Sequence, residues 1–177
     1  MKPPSSETPF SGLTPDRILD ALEGLGLPCD GRLLALNSYE NRVWQVGVEE
    51  ADGGAGFRVA KFYRPGRWSD AAIQEEHDFL AELAQTELPV VPPIPVAGRT
   101  VHHAAGHRVA VFPRRGGRAP ELDDPATLAW MGRLLGRIHQ IGRRTPHIHR
   151  QTLDIQRHGS EPRDFLLAGE WLPAELR

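Results

Sequence analysis

Residues 57–85 read FRVAKFYRPGRWSDAAIQEEHDFLAELAQ, a strand pattern followed at once by a helix pattern. Its first seven positions alternate, so Phe57, Val59, Lys61 and Tyr63 share one side of a strand. Arg64-Pro65-Gly66 then ends the strand with turn chemistry, and Ser69 is placed to cap a helix over 70–84. At about 100° per residue, Ala72, Ile73, Phe79, Leu80 and Leu83 make one apolar stripe on that helix. Glu76 falls near the middle of the stripe and Glu75 toward its polar edge. A carboxylate on a buried face needs a partner, because an unpaired buried charge is costly. Lys61, on the preceding strand, can reach it across a sheet–helix interface. Two plainer readings stay open. Glu76 could sit at the rim against an arginine, and Lys61 could be a charge that blunts an edge strand.

The same reading extends outward. Upstream, Thr14 and Pro15 start a short amphipathic helix, with Ile18, Leu19, Leu22 and Leu25 at helical spacing. Strands follow over 33–36 and 43–48, separated by the polar loop Asn37-Ser38-Tyr39-Glu40-Asn41. Downstream, the Pro-rich run 89–95 is extended, and strands over 99–103 and 107–112 flank Ala104-Ala105-Gly106. Asp124-Pro125 opens a third helix to about residue 141. Beyond it the chain is polar and broken by Pro146, Pro162 and Pro173. The result is an α+β fold: a five-stranded antiparallel sheet with a helix inserted after strand three.

Composition narrows the function classes. The chain has 177 residues, 40% of them hydrophobic and 25% charged, which suits a globular domain. A formal charge of -2 gives no global attraction to nucleic acid or anionic lipid. The single cysteine, Cys29, excludes an internal disulfide framework. No apolar run approaches the roughly 18 residues of a membrane span, and the first ten residues lack a signal-peptide core, so a cytoplasmic protein is expected. Of 21 basic residues only Lys2 and Lys61 are lysine, which singles out Lys61. Lysine is a compact point charge suited to a phosphate.

A loop between the first two strands, a lysine on the third and a glutamate on the next helix follow the order of a kinase amino-terminal lobe. The motifs agree: Leu36-Asn37-Ser38-Tyr39-Glu40-Asn41-Arg42-Val43, Lys61-Phe62-Tyr63-Arg64-Pro65 and Glu75-Glu76-His77. So do Val111-Phe112-Pro113, Gly116-Gly117-Arg118, Gly132-Arg133, Leu135-Gly136-Arg137, His139-Gln140 and Ile148-His149-Arg150. Across residues 12–165 the chain resembles bacterial stress-response kinases of the aminoglycoside phosphotransferase/choline kinase-like group. The resemblance implies ATP- and Mg2+-dependent phosphorylation of protein Ser/Thr in the cytoplasm. It implies that Lys61 contacts the α- and β-phosphates and Glu76 orients it. Ser38, Tyr39, Glu40 and Asn41 would cover the phosphates. The Phe112 carbonyl and the Arg114 N–H would meet the adenine, since Pro113 has no N–H to give.

Residues 1–12 are Pro- and Ser-rich and read as a flexible tail. The resemblance then implies a kinase-like amino-terminal lobe (13–112), a hinge (113–122) and the start of a helical second lobe (123–177). The sequence lacks the group's His-Gly-Asp motif with a following Asn, and a later Asp motif for Mg2+. His158-Gly159-Ser160 has no Asp to act as base. Without base or metal ligands an in-line phosphoryl transfer has neither an oriented hydroxyl nor charge neutralisation, so this chain alone is expected to be inactive. The alternative is a non-catalytic interaction module that keeps the lobe fold.

Other signals are weaker. The histidines lack zinc spacing, and the arginines are not interleaved with stacking aromatics, so neither a metal centre nor nucleic-acid binding is expected. His139 reads as a core histidine beside Gly132 and Gly136, which would permit close packing. The four tryptophans, Trp44, Trp68, Trp130 and Trp171, read as core or near-core.

Overall fold

A computed structural model describes residues 9–50, 52–169 and 171–176. The chain divides into a unit that runs to His147 and a second over Ile148–Arg177. The first contains α1 (Pro15–Glu23), β1 (Cys29–Leu36), β2 (Arg42–Glu49), β3 (Ala55–Phe62), α2 (Asp70–Gln85), β4 (His102–Ala104), β5 (His107–Pro113) and α3 (Pro125–Gly142). The strands form one antiparallel sheet in the order β1-β2-β3-β5-β4. β3, which carries Lys61, is therefore the central strand, and the edge-strand reading of Lys61 is excluded.

Local chemistry sets the helix starts. Thr14 Oγ1 accepts from Arg17 N, Ser69 Oγ accepts from Ala72 N at 3.1 Å, and the Asp124 carboxylate accepts from Ala126 N and Thr127 N. The two sheet faces then bury different partners. On one, Val46, Ala60, Phe62, Val109 and Val111 pack against Ile18, Ala21 and Leu22 of α1. On the other, Tyr63 and Ala110 pack against Ile73 of α2. Leu83 and Leu88 meet Ile141 of α3 in a third cluster. The pleat alternates between these faces, so burying Ala60 and Phe62 against α1 turns Lys61 toward α2.

Several details depart from expectation. β4 spans three residues, because Val96 and Arg99 pair across a turn with Ala97 (φ 47) and Gly98 (φ 75). The Pro-rich segment is extended as expected and runs beside β5, with Ile94 N donating to Val111 O at 2.7 Å. β1 carries a register shift between Cys29 and Leu33, with Gly31 at φ 86. The tail expected over 1–12 lies outside the described residues through residue 8. Residues 9–12 form a turn in which Phe10 stacks on His107 at 5.3 Å.

His139 is exposed, and a Cβ at Gly132 or Gly136 would meet nothing within 4 Å. The close approach of α3 to α2 falls instead at Gly142, where an added Cβ would lie 3.4 Å from the Phe79 ring. Only the side of α3 bearing Leu134, Ile138 and Ile141 packs on α2, which leaves Leu128, Trp130 and Leu135 about half exposed. Trp44 and Trp68 pack against core clusters, but Trp130 and Trp171 are 50% and 66% exposed. The second unit holds a π-type turn (Gln156–Ser160) leading into α4 (Glu161–Ala168). Pro162 opens this helix rather than breaking it, since a first-turn proline gives up no needed N–H.

Candidate nucleotide site

Lys61 stands in a row across the central strands, paired with Val43 on β2 and Ala110 on β5. In the next row of the same face Val59 pairs with Gln45 and Phe112. This face and α2 border an open cavity of about 300 Å³ lined by Val43, Val59, Lys61, Glu76, Val91, Phe112, Pro113 and Arg115. At one wall Lys61 Nζ donates to Glu76 Oε1 at 3.0 Å. Both side chains are about three-quarters covered, which reduces solvent screening without desolvating them fully. The Nζ also lies 4.5 Å from the centre of the Tyr63 ring, a cation–π distance.

The remaining site candidates divide between places. Phe112 lines the cavity. Arg114 is exposed and does not line it, whereas Arg115 does. Tyr39 and Glu40 line a separate cavity of about 410 Å³ with Arg64, Pro65, Gly66 and Arg67. Their loop is tied to itself and to the β3–α2 turn. Ser38 Oγ donates to Asn41 O at 2.7 Å, Arg64 N donates to Asn41 Oδ1 at 3.2 Å, and Arg67 Nε donates to Glu40 Oε1 at 2.9 Å. Tyr39 projects fully into solvent from the loop tip.

Beneath the ion pair lies a polar group that sequence reasoning left without a role. His77 is 2% exposed and bonds Tyr63 Oη through Nε2 and Thr100 Oγ1 through Nδ1, both at 2.9 Å. Burial, helped by the Lys61 charge, pushes its pKa down to about 4. His77 lies only about 40° from Ile73 on the helical projection. That angle was the available signal for its burial. Val91 was missed because only its alignment with β5 brings the Pro-rich run to the cavity. At the start of α2, Asp70 accepts from His103 and Arg108, and these hydrogen bonds hold its carboxyl below the usual range. Among the described residues no three His, Cys, Asp or Glu side chains are grouped to hold a metal ion.

The fold that brings this lysine–glutamate pair together is shared with solved proteins. The amicoumacin kinase hAmiN, solved with AMP-PNP, Ca2+ and Ami, superposes with a TM-score of 0.66 at 19% identity. The match covers 90% of this chain and 49% of that one. A microcompartment-associated aminopropanol kinase gives 0.64 at 22% identity over 82% of this chain and 48% of its own. At these identities the likeness is one of fold. In sequence, Stress response kinase A of Shigella flexneri is 42% identical over 95% of this chain and 50% of its own length. The protein named Serine/threonine protein kinase RdoA in Salmonella typhimurium is 40% identical over 93% of this chain and 49% of its own. The chain thus spans about half the length of the curated relatives it matches. With residues 32–176 matching its family pattern across both the sheet and the helices after it, the chain belongs to the phosphotransferase enzyme family.

Proposed function

We propose that residues 13–112 are the ATP-binding lobe of a cytoplasmic Ser/Thr protein kinase of the stress-response type. Residues 113–122 are its hinge and 123–177 the beginning of its second lobe. The observation that carries this reading is the 3.0 Å contact between Lys61 and Glu76 at the wall of a cavity open to solvent. Glu76 holds the ammonium of Lys61 on the cavity side of β3, where it can meet the α- and β-phosphates of a nucleotide. Val43, Val59, Val91 and Phe112 offer the apolar surface that an adenine ring requires. Phe112, Pro113 and Arg115 line the cavity, so the Phe112 carbonyl and the Arg114 N–H next to them would meet the edge of the adenine. The loop Ser38, Tyr39, Glu40 and Asn41 lies between β1 and β2, the place of a phosphate cover.

Protein Ser/Thr as the substrate class rests on the names of the curated relatives. The residues present fit ATP, but those described do not fit Mg2+. With no His-Gly-Asp motif in its sequence, this chain alone binds nucleotide without transferring phosphate. Thermal unfolding with and without ATP tests the reading. ATP at about a hundredfold above its Kd should add about 2.7 kcal/mol to folded-state stability. Lys61→Ala should abolish the shift. An equal shift in Lys61→Ala would overturn the lysine's role, and robust phosphotransfer by the purified chain would overturn the proposed inactivity.

A further inference from the structure

Lys61, at the end of β3, and Tyr63, just past it, lie two apart on one side, and Glu76 and His77 are neighbours on α2. The two pairs make two parallel ties between strand and helix, Lys61 to Glu76 and Tyr63 to His77. A single tie lets a helix pivot about it, whereas two ties set its rotation. His77 continues outward to Thr100, in the segment just before β4, and so joins the helix to two parts of the sheet layer.

The proton positions along this line can be deduced. Gln74 bonds Asp78 Oδ1 at 2.8 Å through its amide nitrogen, because a carboxylate only accepts. Its Oε1 therefore faces Thr100, whose hydroxyl proton points to it at 3.4 Å. Thr100 Oγ1 then accepts from His77 Nδ1–H. A neutral imidazole has one N–H, so Nε2 accepts the Tyr63 hydroxyl proton. The chain runs in one direction from Tyr63 through His77, Thr100 and Gln74 to the Asp78 carboxylate, every donor matched to an acceptor. Its depressed pKa keeps His77 neutral at pH 7, as this order requires.

We propose that His77 and Tyr63 are positioning residues, a tether that fixes the rotation of α2 so that Glu76 presents its carboxylate to Lys61. The proposal rests on the reading of Lys61 as the phosphate anchor. It adds that the anchor's geometry is set one residue away from the ion pair, by a neutral hydrogen-bonded line. His77 touches no substrate and acts only through Glu76.

The test uses the two-lysine composition. In the full chain labelled with 15N-lysine, the ammonium of Lys61 gives an NMR signal protected from water exchange by its ion pair, and Lys2 serves as an internal reference. Tyr63→Phe removes one oxygen and keeps the ring beneath Lys61. His77→Phe removes both ring nitrogens, while His77→Gln keeps an acceptor toward Tyr63. In Tyr63→Phe and His77→Phe the Lys61 signal should broaden or move toward that of Lys2, and the ATP Kd should rise at least threefold. His77→Gln should recover most of both. A merely structural role would lower the melting temperature and leave the Lys61 signal in place. An unchanged signal in Tyr63→Phe, which retains its fold, overturns the tether even if His77→Phe fails to fold. Equal ATP affinity in Lys61→Ala and wild type would instead overturn the lysine's role as phosphate anchor, and the wild-type Lys61 signal would still report on the tether.

Discussion

A neutral imidazole with 2% of its surface exposed makes folding depend on pH in a defined window. His77 titrates near 6.5 in an unfolded chain and near 4 in the folded one. Below pH 6.5 the unfolded state takes up a proton that the folded state refuses until about pH 4. Stability is therefore complete above 6.5 and falls as the pH drops through that window, by about 2 to 3 kcal/mol. The groups facing His77 act on this in both directions: the Lys61 charge deepens the depression, the Asp78 charge opposes it, and Tyr63 and Thr100 are neutral partners. Urea unfolding at pH 4.5 and 7 should show this loss in the wild type and a smaller one in His77→Gln. His107, whose pKa is also lowered by burial and by the Arg17 charge, accounts for part of the remaining slope. The carboxyls of Asp30, Asp70 and Asp124, held below their usual range by hydrogen bonds, lose their contribution only at lower pH.

At the scale of elements, the β4–β5 hairpin turns on Ala105 (φ 50) and Gly106 (φ 78), both left-handed, as a two-residue turn between twisted strands requires. A Cβ at Gly106 would meet nothing within 4 Å, so any cost of adding one is backbone conformation alone. Gly106→Ala should destabilise the chain by about 1 to 2 kcal/mol without disturbing the ATP shift, as measured by urea unfolding. The elements whose causes are local were the legible ones. Thr14, Ser69 and Asp124 are caps by residue type, and Lys61 and Glu76 face one another by the arithmetic of period 2 against period 3.6. What stayed hidden depends on contacts distant in sequence. Thr100 reaches His77 across 23 residues, after a turn of left-handed residues that shortens β4. Val91 reaches the cavity only because its segment aligns with β5. His139 was misread because helical periodicity on α3 does not say which part of its face α2 covers. α4 shows little periodicity because it buries no residue.

For the molecule as a whole, burial is concentrated in the unit that ends at His147. None of the described residues of the second unit is buried, although Phe165 and Trp171 stack at 5.8 Å. Elements with so little apolar burial open at low cost. Hydrogen exchange should therefore find the α4 amides exchanging within seconds to minutes at neutral pH, while those of β3 and β5 persist for hours. Comparable protection of α4 would contradict this account. Both margins of the sheet also bear on how copies of the chain behave together. A strand at the rim offers unpaired amides and carbonyls to any neighbour. Here one rim is only three residues long, and the other is interrupted where Gly31 bends β1 and the Asp30–Arg32 ion pair occupies the bend. Neither presents a straight run of free backbone, so crowded molecules lack a template along which to zip into a shared sheet.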